Sequence, residues 1–547
     1  MARSIMIQGT ASSVGKSLVV AGLCRLLRNA GYRVAPFKAQ NMSLNSFVTA
    51  EGGEMGRAQV VQAQAAGIAP SVLMNPILLK PSGNAHSQLI VLGEARGTYT
   101  AEQYYELVPD LEATVRDAYR QLAQQYEVVV LEGAGSPAEI NLRHRDLVNM
   151  GMAHLAGAPV LLVGDIDKGG VFAALLGTKM LLSPADQQMI RGVVINKFRG
   201  SRAVLEPGLR QLEHLMGVPC LGVIPYTRVQ LDEEDGAIEE LEAGAPALEH
   251  ADADFTVAVV RLPHISNFTD FDTLARLPRT RMIYAWQPRD LQGAALVILP
   301  GSKNTVADLL HLRTSGMERA VCEHARRGGF VIGICGGYQM LGTRILDPQR
   351  VESPVAEVEG MGLLAVTTTF AARKRTCQVQ GRFLAGAGEW TRDLAGRPFQ
   401  GYEIHMGRSQ AAPGVPPLVA VTRDDGSQVT DGAASCDGRV IGTYVHGLLD
   451  DPVIAAGLIN HVRRMRGLPE IEVSDADWRT SCQREHDRWA EILGANLDLD
   501  ALGRIMGLDL KRAPAGGPAG AGGQAGPGGR GLPAAGESST SFIAPVR

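Results

Sequence analysis

Gly329-Phe-Val-Ile-Gly-Ile-Cys335-Gly-Gly-Tyr-Gln-Met-Leu341 joins a short apolar run to a turn of small residues and then to a helix-like pattern. A strand, a sharp turn and a helix are predicted. Gly333, Gly336 and Gly337 let a strained turn lift one thiol above a sheet. The following backbone N–H groups and the helix N-terminus then lie close enough to stabilise a thiolate or an oxyanion. Taken alone, the stretch also fits a small buried cysteine in a glycine-rich turn. What favours a nucleophile is a histidine at the end of a later apolar run, Val440-Ile-Gly-Thr-Tyr-Val-His446-Gly-Leu-Leu. A nucleophilic thiol needs a base brought to it by the fold.

Length and composition bound the rest. The 547 residues, 45% of them hydrophobic, suffice for at least two cores. A formal net charge of −4 gives no general attraction to nucleic acid or membrane. Seven scattered cysteines form neither a CxxC pair nor a disulfide ladder, which fits a reducing cytosol. No export signal is visible at the N-terminus, and no apolar stretch approaches the ~20 residues of a membrane helix. A cytoplasmic, two-domain enzyme is expected.

From the start of the chain, Ser4-Ile-Met-Ile-Gln8 reads as a strand, Gly9-Thr-Ala-Ser-Ser-Val-Gly-Lys-Ser17 as the loop after it, and Leu18 to Leu27 as a helix. A glycine-rich loop where strand passes to helix presents backbone N–H groups to an anion. In such a phosphate loop Lys16 reaches the outer phosphates of ATP and the Ser17 hydroxyl takes Mg²⁺. The spacing is stretched: counting back from Gly15, Thr10 stands where the first glycine usually does, and Gly9 lies one residue earlier. This form resembles the loop of dethiobiotin synthetase and its relatives, which activate a carboxylate as an acyl phosphate. Tyr32 to Lys38 reads as a second strand, followed by a polar loop, Ala39 to Ser46. Ligands of open α/β sheets gather at strand carboxyl ends, so Lys38, Gln40 and Asn41 are placed to meet phosphate or substrate. Glu127 to Leu131 reads as a doubly buried parallel strand ending in Glu132-Gly-Ala-Gly135, and Glu132 is the second candidate Mg²⁺ ligand. Asp146 is a weaker one, since a salt bridge to its arginine neighbours explains it as well.

Runs at Pro159–Val163, Gly192–Ile195 and Cys220–Ile224 complete a doubly wound parallel sheet. Asn196-Lys197 fits either an adenine contact or a helix cap. An acidic segment rich in breakers, 230–253, reads as a linker. The second domain begins at Phe255. In it Pro300-Gly301-Ser302 follows a buried strand and can supply backbone N–H groups to an oxyanion hole shared with Gly336. Runs around Gly360–Val366 and Gly401–Gly407 are expected to complete a mixed sheet. His405 competes with His446 as the base, but lies inside an alternating strand, whereas His446 leaves a strand end. Residues 453–512 read as covering helices, and 513–547, dominated by Gly, Pro and Ala, as a disordered tail.

The Cys335/His446 pairing resembles the class I, or triad, glutamine amidotransferases. Together with the dethiobiotin synthetase-like loop and the phrases GTASSVGKS, FKAQNMSLNS, EGAGSPAEINL, GSKNT, GICGGYQMLG, GYEIHMG and GTYVHGL, the chain resembles the cobyrinate amidotransferase family of corrin biosynthesis over residues 1 to about 510. The resemblance implies an α/β protein. Its parts are a doubly wound phosphate-loop domain at 1–229, the linker, an amidotransferase-like α/β domain at 254–452, the covering helices and the tail. It further implies ATP- and glutamine-dependent amidation of a corrinoid, adenosylcobyrinic acid a,c-diamide, at its b, d, e and g carboxylates, without nucleic acid or membrane partners. In that reading Cys335 and His446 are catalytic, Gly301, Ser302 and Gly336 hold the oxyanion, Thr10, Gly15, Lys16, Ser17 and Lys38 bind ATP, and Ser17 and Glu132 bind Mg²⁺. A sister enzyme that amidates the a and c carboxylates shares both domains, and a partitioning-type ATPase shares the loop but has no use for the cysteine turn. Many triad enzymes carry a glutamate two residues after the histidine. Here Leu448 stands there, so the third member is absent or is an acid elsewhere, such as Asp450.

Overall fold

A computed structural model of the chain describes residues 2–82, 86–231 and 252–511. Most of the expected linker and the whole of the expected tail, 513–547, lie outside the described residues.

The first sheet has six strands in the order Cys220–Pro225, Ile190–Phe198, Val160–Asp165, Arg3–Gly9, Val128–Glu132 and Val34–Phe37. All neighbours run parallel. Burial explains the apolar runs, since Val128, Val129, Val130 and Leu131 are each 0% exposed and sit between helices on both faces. Arg3–Gly9 is central, so the loop at its carboxyl end opens over the middle of the sheet. The helix Lys16–Asn29 begins two residues before the apolar pattern does, because Gly15, at φ 92°, turns the chain directly into it.

The polar stretch after Lys38 is more ordered than expected. Gln40–Met42 forms a short strand beside Ile77–Pro81, which continues through His86–Val91 and Glu94–Thr100 as a separate four-stranded sheet. Ser46–Val48 pairs with Glu54–Gly56, and the helix Arg57–Ala66 follows. Three-residue strands are too short to carry a readable alternation.

The second sheet runs Thr280–Ala285, Phe255–Val260, Leu296–Leu299, Phe330–Ile334, Val440–Thr443 and Ala433–Ala434, parallel except for the last pair. The expectation that the runs near 360–366 and 401–407 complete this sheet is corrected by the structure. They belong to a separate, mostly antiparallel sheet built on a long ribbon of Val366–Phe383 and Pro398–Ala411. Residues 360–365 are not strand.

The C-terminal helices divide between the domains. Pro452–Met465 buries Ile454, Leu458, Ile459 and Val462 in the core of the second. Asp475–Asn496 and Leu499–Met506 return to the first, where Trp489, Leu493, Leu502 and Met506 join the core behind the phosphate loop. Trp489 Nε1 donates to Leu18 O at 2.7 Å, and Arg25 pairs with Asp487 at 2.7 Å. Among the described residues no helix is long and apolar enough to cross a membrane, and none of the seven cysteines is disulfide-bonded.

The domains meet along Ser46–Val48. Ser46 N donates to Asn267 Oδ1 at 3.2 Å, Phe268 N to Asn45 Oδ1 at 3.0 Å, and the Tyr402 hydroxyl to Ser46 O at 3.2 Å. Phe47 meets the edge of Tyr402 with ring centroids 5.5 Å apart. The contact surface therefore lies beside the strand that carries His405.

Candidate active sites

Cys335 follows the strand Phe330–Ile334 and precedes the short helix Gly336–Leu341. Its backbone has φ 51° and ψ −105°, a strained conformation for a residue with a Cβ. Small neighbours make the turn possible: a Cβ on Gly337 would lie 2.0 Å from Leu299 O, and one on Gly336 2.7 Å from Ser302 N. The backbone of Gly301–Ser302 is thus pressed against the start of the helix. That strand pairs with Ile265–Ser266, and Ser302 Oγ donates to Asp308 Oδ2 at 2.6 Å, which fixes its position. The Gly336 N–H, first in its helix, has no acceptor within the helix.

His446 is 1% exposed. Its Nδ1 lies 2.7 Å from Asp270 Oδ2, while Asp270 Oδ1 accepts from Gly447 N at 3.1 Å. Nε2 is buried without a protein hydrogen bond of ordinary geometry. Burial alone would lower the pKa of this imidazole, but the charge and hydrogen bond of Asp270, with the Cys335 thiol adding to them, outweigh it and push it up to about 10. Tyr402 stacks on the ring, with centroids 5.3 Å apart and planes at 14°. Asp270 thus occupies the position left open by Leu448. Asp450 does not: its carboxylate is 3.8 Å from Arg57. The sequence signal for Asp270 is slight, an acid in Asn267-Phe-Thr-Asp270 shortly after the first strand of the second domain.

His405 is differently held. Its Nδ1 is 2.7 Å from Gly407 O, Glu403 is no nearer than 4.0 Å, and the ring stacks on Tyr444 at 3.8 Å. Burial pushes its pKa down to about 4. A cavity of about 640 Å³ adjoins Cys335 and takes walls from both domains, with Lys80 and Gln88 from the first and Lys303, Gln339 and Glu352 from the second.

In the phosphate loop, Thr10 N donates to Val163 O at 3.0 Å, and Lys16 Nζ bridges Ala11 O at 2.9 Å and Gly135 O at 3.2 Å. Ser17 Oγ and Lys38 Nζ each lie 2.8 Å from Glu132 Oε1, and Gln62 Nε2 lies 2.5 Å from Glu132 Oε2. Burial would raise the pKa of Glu132, but the Lys38 charge and the bonds from Lys38, Gln62 and Ser17 hold it below the usual carboxylate range. Two hard oxygens this close are donors that would suit Mg²⁺. Sequence reading missed Gln62 and Gln59, which approach Glu132 from the helix Arg57–Ala66. Asn196 and Lys197 brace the loop itself, donating to Val14 O at 2.8 Å and Ser13 O at 2.7 Å. Asp146 accepts from the N–H groups of Val148, Asn149 and Gly151 at 3.0, 2.7 and 3.1 Å, which orders the turn into the helix Met150–Ala156, and lies 3.8 Å from Arg143.

These two sites, a phosphate loop over one parallel sheet and a cysteine elbow over another, define a glutamine-dependent amidotransferase built on a nucleotide-binding domain. Residues 5–236 match the CobQ/CobB/MinD/ParA nucleotide binding domain, and 256–453 the CobB/CobQ-like glutamine amidotransferase domain. The chain is 49% identical over 507 residues to a cobyric acid synthase of Klebsiella pneumoniae, covering 92% of this chain and 98% of that one. It is 46% identical to one of Alkaliphilus metalliredigens (92% and 99% covered) and 48% identical to one of Pelotomaculum thermopropionicum (95% and 99%). The chain belongs to the cobyric acid synthase family.

Proposed function

We propose that the protein uses glutamine and ATP to amidate the b, d, e and g carboxylates of adenosylcobyrinic acid a,c-diamide, in the cytoplasm. The observation that carries the glutaminase half is the Asp270–His446 hydrogen bond beside a strained Cys335. The thiolate attacks the glutamine side-chain amide, and the N–H groups of Gly336 and of Gly301-Ser302 hold the oxyanion. His446 gives a proton to departing ammonia and then takes one from the water that hydrolyses the thioester, releasing glutamate. Asp270 keeps the imidazole oriented and offsets its charge.

In the other site Lys16 and the loop N–H groups hold the phosphates of ATP. Ser17 and Glu132 would hold Mg²⁺, which when bound offsets phosphate charge. A corrin carboxylate attacks the γ-phosphorus, ADP leaves, and ammonia displaces phosphate from the acyl phosphate. Lys38 already neutralises Glu132, so its part is to fix that carboxylate.

Reconstitution tests the reading. With ATP, Mg²⁺ and glutamine, the purified protein is expected to convert the a,c-diamide to a product carrying amides at the b, d, e and g positions, read by mass spectrometry and fragmentation. Amidation of cobyrinic acid at the a and c positions, with the diamide left untouched, would overturn the substrate assignment.

A further inference from the structure

The cavity beside Cys335 holds charge that thioester chemistry does not use. Lys303 follows the oxyanion strand directly, and its Nζ donates to Gln88 Oε1, from the first domain, at 2.7 Å. Among the described residues it meets no carboxylate at ion-pair distance. Glu352 lines the same cavity, and its carboxylate accepts from Thr305 N at 2.6 Å and Val306 N at 3.4 Å, with no cation at pairing distance among the described residues. Thr305 Oγ1 in turn donates to Gln339 Oε1 at 2.9 Å, which ties Glu352 to the helix behind Cys335.

The other two lysines on this wall are paired, though they share one carboxylate. Lys80 and Lys374 both reach Glu54, at 2.8 and 2.6 Å. Lys303 and Glu352 are not: burial lowers the lysine pKa to about 7 and raises that of the glutamate to about 7. Each favours the other's charged form, so they are within electrostatic reach without touching. One cation and one anion, both short of a partner on one cavity wall, are the complement of a zwitterion. Free glutamine is the zwitterion whose side-chain amide belongs at Cys335.

We propose that Lys303 takes the α-carboxylate of glutamine and Glu352 its α-ammonium group, so that the site selects a free α-amino acid over other primary amides. Gln88 orients Lys303, which makes the first domain part of the glutamine site. The inference rests on the reading of Cys335 as the glutaminase nucleophile.

Two truncated amides test it: 4-aminobutyramide, which is glutamine without its α-carboxylate, and glutaramate, which lacks the α-ammonium group. Hydrolysis of each is compared with that of glutamine in wild type, Lys303→Met and Glu352→Gln. Lys303→Met is expected to raise KM for glutamine at least about tenfold with little change in kcat, and to abolish the preference for glutamine over 4-aminobutyramide. Glu352→Gln should do the same relative to glutaramate. Ratios of kcat/KM on one sample do not depend on the folded fraction, and Lys303→Arg should recover the preference. If Cys335→Ala still hydrolyses glutamine, the nucleophile reading fails. If Cys335→Ala is inactive while both preferences and both KM values stay at wild-type levels in the variants, this inference alone is overturned.

Discussion

Asp270 reaches His446 from 176 residues earlier in the chain, and nothing in the local sequence of either residue announces the other. Only the tertiary fold makes the pair, while the place two residues after His446 holds the apolar Leu448. An amide at position 270 keeps the shape but cannot offset an imidazolium, so Asp270→Asn should lower glutaminase kcat by roughly 10²–10⁴-fold. Ammonia-dependent synthesis, which bypasses that site, serves as the control, and a variant with normal glutamine turnover would remove Asp270 from the mechanism. The same pair sets a pH dependence of stability. His446 has a folded pKa near 10, above its unfolded value of about 6.5, so the fold prefers the protonated ring. That contribution is whole below the unfolded pKa and is lost as pH rises through the folded one. The stability advantage of wild type over Asp270→Asn should therefore shrink between about pH 6.5 and 10, as thermal unfolding at a series of pH values would read.

In the proposed mechanism the elbow is the element on which the glutaminase depends, and its spacing is set by backbone contact. A methyl group at Gly337 would stand 2.0 Å from the Leu299 carbonyl, and neither backbone can yield without moving a central strand. Gly337→Ala should cost about 1–3 kcal/mol and displace the Cys335 thiol, so that turnover of glutamine falls further than stability alone accounts for. Denaturant unfolding beside glutaminase rates checks this; unchanged values of both would mean that the turn is looser than its geometry. This element was legible because its glycines and apolar run are contiguous in sequence. The phosphate loop was legible for the same reason. The ribbon of Val366–Phe383 with Pro398–Ala411 was not, since its 18- and 14-residue strands carry polar residues such as Thr367, Gln378 and Arg382 along much of their length. Gln59 and Gln62 were hidden too: they lie on a helix whose side chains are nearly all buried, and burial there looks like core until Glu132 is seen at its end.

At the scale of the molecule, the cavity beside Cys335 takes part of its wall from the nucleotide-binding domain. The segment Ser46–Arg57 touches Asn267 and Tyr402 at one end, and the helix it enters touches Glu132 at the other. In the proposed reaction, ammonia freed at Cys335 is released against a wall to which the first domain contributes Lys80 and Gln88. Free ammonia in neutral water is mostly protonated and non-nucleophilic, so release within the chain favours transfer. Each half can be silenced separately. Cys335→Ala should lose glutamine-dependent synthesis and keep synthesis from ammonia. Lys16→Ala should lose synthesis from either nitrogen source, because phosphoryl transfer relies on the positioned charge of that lysine, while glutamine still binds. Mixing the two variants with glutamine then asks whether nitrogen passes within one chain. If it does, the mixture should make far less amide than an equal amount of wild type, and addition of ammonium salt should restore synthesis through the Cys335→Ala partner. A mixture that matches wild type with glutamine alone would mean that ammonia travels through solvent and that the shared wall has no part in its delivery.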